Sequence, residues 1–432
     1  MANHARVNDP FKQTEPIQGR NEIWLIVALC TVGLLSAIYF FRLLDHYPYN
    51  SGRNLIGAYV PPLLAVCYLV ATAYRRKPDR KIFLRAFLLY LILLVPFMPL
   101  MLQVFKPTFG DDFHRYYVYA RYMIDNHTLY GSDNLAFPGQ GRYYLTQPGY
   151  RYFIAAELAA FHDLYRFVQF LNLAMWVFGI FIFVKVIKEV SGREEHRILL
   201  TLLLLTPYAI KNSIMGLSEW LTGLLLILSC WLYVVKKSPA LSIFVLALVP
   251  FFRQNLLVSI LLIAGLIVVL NRNKIRLLVC FMIPLLLPLY HNLYFAGEWR
   301  FLVKLHAVPL LNDAYGGGFN PAVIGQNIFR LIGVEITNGH VHFDWMAFAF
   351  LPLSLLVIIQ LIRKLPSAWR LYFILIVAGA FLPGLFLGKD YYPRFEFMSV
   401  MATLAAYHFL SLHVPSSATG YEPGSYRNSK HK

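Results

Sequence analysis

The sequence predicts an all-α, polytopic integral membrane protein with about twelve transmembrane helices and two long extracytoplasmic loops. Three observations carry that prediction. The 432 residues are 58% hydrophobic and only 14% charged, with a mean hydropathy of +0.55, whereas a soluble domain carries about a quarter charged residues. Apolar stretches of about 20 residues, long enough to cross a bilayer, recur from Ile23 to Leu412. The links between them hold much of the Lys and Arg, as cytoplasmic links of membrane proteins do. The same bias accounts for the net charge of +17, so no nucleic-acid partner is expected.

The polar stretch 1–22 reads as a cytoplasmic tail, and the span that follows lacks a cleavage signature, so it reads as an uncleaved anchor. Spans are expected at 23–44 and 54–74, followed by the basic link Arg75 to Lys81, which places the next side inward. A third span, 82–105, then leads out into a loop of about 106–161. Within that loop 113–124 reads as an interfacial helix, with Tyr116, Tyr119 and Met123 on one face at spacings of three and four. The segment 151–161 is too short to cross and is expected to lie along the interface.

A fourth span, 164–187, returns to the charged link 188–197. The pairs 198–210 with 214–235, and 241–252 with 256–270, come next; the second pair is broken by Arg253-Gln254-Asn255 on the outer side. The members 198–210 and 241–252 are short for a full crossing, which is tolerated only where neighbouring helices shield them. Segment 277–293 leads out to a second loop of about 295–344. Spans at 345–362, 371–387 and 397–412 complete a single domain, 23–413, followed by a polar cytoplasmic tail, 414–432. All four cysteines (Cys30, Cys67, Cys230, Cys280) fall in apolar spans, so neither a disulfide framework nor a metal site is indicated.

The residues that carry chemistry concentrate in the first outer loop. Asp111 and Asp112 follow an apolar run directly and are flanked by His114, Arg115 and Tyr116. One reading makes the acids a helix start. The other makes one of them a general base, because a like charge and a low-dielectric boundary both raise a carboxyl pKa toward that task. Arg253, in Phe251-Phe252-Arg253-Gln254-Asn255, interrupts apolar sequence, and an ionisable group there is by default a functional candidate; the alternative is an arginine snorkelling to headgroups. Arg394, near the last outer turn, is a similar candidate. Glu219 is expected to form a structural salt bridge with Lys211 or Arg253. His340 and His342, with Asp344, leave room for a divalent cation or for proton transfer, although a His-x-His pair at a loop boundary is more often ordinary. The Gly316 to Gly318 run reads as a flexible turn.

An acidic pair after an early span, an aromatic-rich amphipathic stretch and a Leu129-Tyr130-Gly131 turn together resemble the first outer loop of the GT-C membrane glycosyltransferases. That class includes protein O-mannosyltransferases, lipid A aminoarabinose transferases and mycobacterial lipid mannosyltransferases. Gln147-Pro148-Gly149-Tyr150, which closes the loop, is similar to the Tyr/Pro-rich element before the next span of such enzymes. The likeness covers the span pattern and this loop, and it departs in having three spans ahead of the acids.

The resemblance implies a polyprenyl-phosphate-linked sugar donor, a lipid, glycan or protein hydroxyl as acceptor, and a loop acid, Asp111 or Asp112, as base. Substrate contacts are expected from His114, Arg115, Tyr116, Tyr150, Arg253, His340, His342 and Arg394. The expected place is the plasma (inner) membrane, with the site on its outer side; no cofactor is specified, and a divalent cation is compatible with it. No nucleotide-binding domain is evident, which argues against a nucleotide-sugar donor. Two other classes fit the spans: a lipid-linked glycan polymerase or ligase, and a non-enzymatic lipid-linked glycan transporter or flippase, for which inverted repeats and midplane charges would be expected.

Overall fold

A computed structural model describes residues 112–129, 148–161, 165–191, 213, 218–297, 299, 301, 325, 328–329, 334–337, 340–343, 358–359, 361–363, 365–385 and 392–412. The spans expected at 23–44, 54–74, 82–105 and 198–210 lie outside the described residues, as does nearly all of 345–362.

The described residues are helical apart from one short ladder. In chain order the helices are α1 (Asp112–Asp125), α2 (Pro148–Phe161), α3 (Tyr165–Ser191), α4 (Ser218–Val234), α5 (Pro239–Phe252), α6 (Leu257–Leu270), α7 (Lys274–Leu285), α8 (Leu287–Ala296), α9 (Ser367–Leu385) and α10 (Tyr392–Ser411). A 3-10 turn, Gln254–Leu256, separates α5 from α6. In the second loop β1 (Val334–Thr337) pairs antiparallel with β2 (His340–Phe343), an element the all-helical expectation did not contain.

Of about twelve spans expected, one helix among the described residues is long and apolar enough to cross a membrane: Phe167–Val190 within α3, with a mean hydropathy of 2.2. The pair α7 and α8 makes a second if the two are one span bent by 41°. The bend has a covalent cause. Pro284 sits just before the break and Pro288 just after it, so two amide donors are missing where the ladder would have continued. Helices α4, α5 and α6 are apolar but shorter, at 17, 14 and 14 residues.

Small residues and buried hydroxyls hold these helices together. A methyl on Gly179 would approach Leu224 Cδ1 to 2.5 Å, and one on Gly223 would meet the Trp176 ring at 3.1 Å, so α3 and α4 pack at glycine distance. Ser229 of α4 and Ser242 of α5 exchange bonds, each hydroxyl donating to the other's carbonyl at 2.9 and 2.8 Å. His408 of α10 joins them through Nε2, 2.8 Å from Ser229 Oγ. Ser259 Oγ donates to Ile376 O and Tyr372 OH to Leu262 O, both at 2.7 Å, which ties α6 to α9. These bonds satisfy polar groups that have no water to turn to.

The loop helices are built onto the same body. Tyr116, Tyr119 and Met123 of α1 are all buried, as their spacing predicts. Helix α2 presses on α5 where Gly149 faces Phe251. An added Cβ there would stand 2.4 Å from the ring. Gly149→Ala should therefore destabilise the protein by about 1–3 kcal/mol through overpacking. The check is thermal unfolding of the purified protein, in which Gly149→Ala with Phe251→Leu should recover part of the loss.

Candidate functional site

The candidate site lies where α1 and α2 meet the ends of α4, α5 and α8. Tyr116 of α1 meets the edge of Tyr150 of α2, with ring centres 4.9 Å apart. Tyr150 OH in turn accepts a bond from Trp220 Nε1 of α4 at 3.4 Å. The preceding residue on α4, Glu219, reaches Arg253, with Nη2 2.9 Å from Oε1. Arg253 Nη1 donates to Ser218 Oγ at 3.0 Å. One run of contacts thus joins three of the residues expected in substrate binding: Tyr116, Tyr150 and Arg253.

The chain presents Arg253 because α5 stops there. Residue 253 is extended (φ −154°, ψ 125°), between the last turn of α5 and the 3-10 turn, and its amide bonds Val249 O at 2.8 Å. Pro250 within the last turn weakens continuation of the helix. The side chain is only 4% exposed and that of Glu219 7%. Snorkelling to headgroups is therefore not what this arginine does; the expected Glu219–Arg253 pair forms.

Sequence reasoning does not reach three polar residues of this centre. Arg151 is fully buried, with its guanidinium 5.3 Å from the centre of the Tyr119 ring. Glu157, two turns beyond Tyr150 on the buried face of α2, is buried, and neither of its oxygens has a hydrogen bond among the described residues. His291 of α8 meets the edge of Tyr152 at 5.6 Å and bonds Asn292 Oδ1 through Nδ1 at 3.1 Å. A signal is present for the first two: Arg151 and Glu157 are the only charged residues in a 14-residue apolar helix. Nothing in the sequence brings α8 to α2, so His291 carries no such mark.

Tyr152 stacks on Phe251 at 6.1 Å and donates to Leu129 O at 2.8 Å, so the start of the Leu129-Tyr130-Gly131 turn is pinned to α2. Beside this stack an open apolar cleft of about 500 Å³ is lined by Phe251 and by Leu287, Tyr290, His291, Tyr294 and Phe295 of α8.

Burial sets the protonation of the α2 groups. It pushes the Glu157 carboxyl from 4.5 up to about 8, so the acid is neutral at pH 7. Burial, reinforced by Glu157, holds the Tyr150 phenol well above its usual range. Burial also raises Tyr152 to about 12 against the opposing charge of Arg151. Both tyrosines therefore act here as neutral hydrogen-bonding groups.

The other expected site residues are placed only in part. Asp111 lies outside the described residues. Asp112, His114 and Arg115 fall in the first turn of α1, and Arg394 in the first turn of α10; their side chains lie outside what is described. His340 and His342 lie on β2, in register with Thr337 and Glu335 of β1, and their side chains too lie outside it. Among the described residues no three His, Cys, Asp or Glu groups converge on a metal position. The chain matches no family model, no curated protein and no solved structure.

Glu157 gives the site a pH signature. The folded chain holds a proton that the unfolded chain releases, so the stability from this group is full below 4.5 and is lost as pH rises through about 8. Glu157→Gln should flatten that alkaline loss. Unfolding midpoints measured from pH 5 to pH 9 on both proteins check it, with parallel curves as the contrary result.

Proposed function

We propose that this chain is a multi-pass glycosyltransferase of the plasma (inner) membrane, with about twelve spans and both termini cytoplasmic. It transfers a sugar from a polyprenyl-phosphate donor to a lipid, glycan or protein hydroxyl on the outer side. The observation that carries this reading is the buried Arg253, held by Ser218 and Glu219 of α4 and two residues from Phe251, which lines an open apolar cleft. A guanidinium held at the end of an apolar bundle suits a phosphate that arrives on a lipid. The apolar outer faces agree with a lipid surround: Phe178, Phe181, Ile275 and Leu371 are each more than 60% exposed.

In the reaction, Asp111 or Asp112 takes the proton of the acceptor hydroxyl. The hydroxyl oxygen attacks the anomeric carbon from the face opposite the phosphate, the bond from that carbon to the phosphate oxygen breaks, and configuration inverts. The departing polyprenyl phosphate takes the bonding pair, and Arg253, with Arg394, stabilises its charge. Tyr116 and Tyr150 brace the sugar site from within the core, and His114 and Arg115 on the same helix as Tyr116 add polar contacts. His340 and His342 contribute from the second loop, with a divalent cation as an accessory where they recruit one.

A second reading, a lipid-linked glycan transporter, draws on the bent α7–α8 pair and on the buried acid Glu157. One experiment separates the two. Asp111→Asn and Asp112→Asn, made singly, should leave membrane abundance unchanged, and one of them should cut glycan product about 10²–10⁴-fold. Full product from both variants removes the base assignment. Accumulation of unflipped lipid-linked glycan on the inner face, in cells lacking the protein, favours transport.

A further inference from the structure

We infer that Glu219 is a positioning residue, holding the Arg253 guanidinium in the plane in which it receives the phosphate of a lipid-linked donor. The inference rests on the transferase reading and adds a residue to it.

The geometry is that of a held side chain. Arg253 is the extended residue at the end of α5, and its head crosses to the first turn of α4. There two neighbouring side chains take two neighbouring nitrogens: Glu219 Oε1 stands 2.9 Å from Nη2, and Ser218 Oγ accepts from Nη1 at 3.0 Å. A guanidinium is planar, so two contacts at its Nη end fix the orientation of the whole fork. Ser218 and Glu219 are themselves rigid, being the first residues of a 17-residue helix whose next residue, Trp220, is fully buried.

Stability alone is a poor account of the pair. Buried ion pairs break roughly even with apolar packing of the same volume, so burying both charges calls for another reason. An acid beside an anion site also works against anion binding through its own charge. For Glu219 to raise affinity, its effect must come through the orientation of Arg253 and outweigh that repulsion. This makes the role testable, because the charge of Glu219 and its contact with the guanidinium can be removed separately.

The experiment measures binding of a long-chain isoprenyl monophosphate to the full-length protein in detergent micelles, with thermal unfolding of each variant alongside. Glu219→Gln keeps an acceptor for the guanidinium and drops the charge, so affinity should stay within about threefold of wild type or rise. Glu219→Ala drops both, and affinity should fall roughly tenfold or more. In an Arg253→Lys background, where the planar fork is gone, Glu219→Ala should change binding by less than about twofold.

Tighter binding by both Glu219 variants would mean that the carboxylate competes with the ligand, and unchanged binding in Glu219→Ala would mean that it only stabilises; either overturns the inference. Persistence of the alanine effect in the Arg253→Lys background overturns it as well. Should Glu219→Ala not fold, Ser218→Ala reads the same orientation, with an expected loss of about threefold or more and no change as the contrary result. Wild-type protein that binds no isoprenyl phosphate rejects the lipid-phosphate reading itself.

Discussion

An arginine that loses its water in an apolar bundle must recover the lost hydration from fixed partners, or its burial costs several kcal/mol. Arg253 is in that position, and the surrounding structure is arranged to meet the demand. Helix α5 ends just before it, α4 begins opposite it with Ser218 and Glu219, and the two ends are brought together by the Ser229–Ser242 exchange further along the same helices. If α4 and α5 slid by one residue, the hydroxyl pair and the ion pair would be lost together. The register of the bundle and the placement of the charge are therefore a single constraint.

Loop helices α1 and α2 depend on the same point. Tyr150 is held between Tyr116 and Trp220, and Trp220 is the residue after Glu219. Gly149 lets α2 approach Phe251, two residues ahead of Arg253. Phe251 also stacks on Tyr152 and borders the apolar cleft. Two short runs of aromatic contacts thus join the neighbours of the arginine to the loop helices.

Much of this is legible in residue order. The ends of α4, α5 and α6 fall within a few residues of where apolar runs stop, because a run interrupted by Arg-Gln-Asn cannot continue in an apolar setting. The face of α1 follows from the spacing of Tyr116, Tyr119 and Met123. The Glu219–Arg253 pair is legible as one of two options, since Lys211 is an equal claimant on sequence alone. The bend between α7 and α8 is masked although both prolines are visible, because the run's hydropathy hides its broken hydrogen bonding. The β1–β2 ladder escapes notice because four-residue strands leave little alternation to detect. His291 is out of reach for a different reason: its neighbour Tyr152 is distant in the chain, and only packing brings the two together.

Two buried acids with opposite surroundings define what this centre does with charge. Glu219 has a guanidinium 2.9 Å away, whereas Glu157 has no ion-pair partner among the described residues. The first is matched to a charge; the second is kept neutral by its apolar setting, with its pKa raised to about 8. Environment rather than residue type divides the roles, as it does wherever two like groups carry different protonation. Arg151 adds a further buried cation, set over Tyr119. Among the described residues the centre thus gathers two buried guanidiniums, while one of its two buried acids carries no charge at neutral pH. Under the transferase proposal, guanidiniums gathered among aromatic rings, with Phe251 two residues from Arg253 in the wall of the apolar cleft, suit the phosphate of a lipid-linked donor.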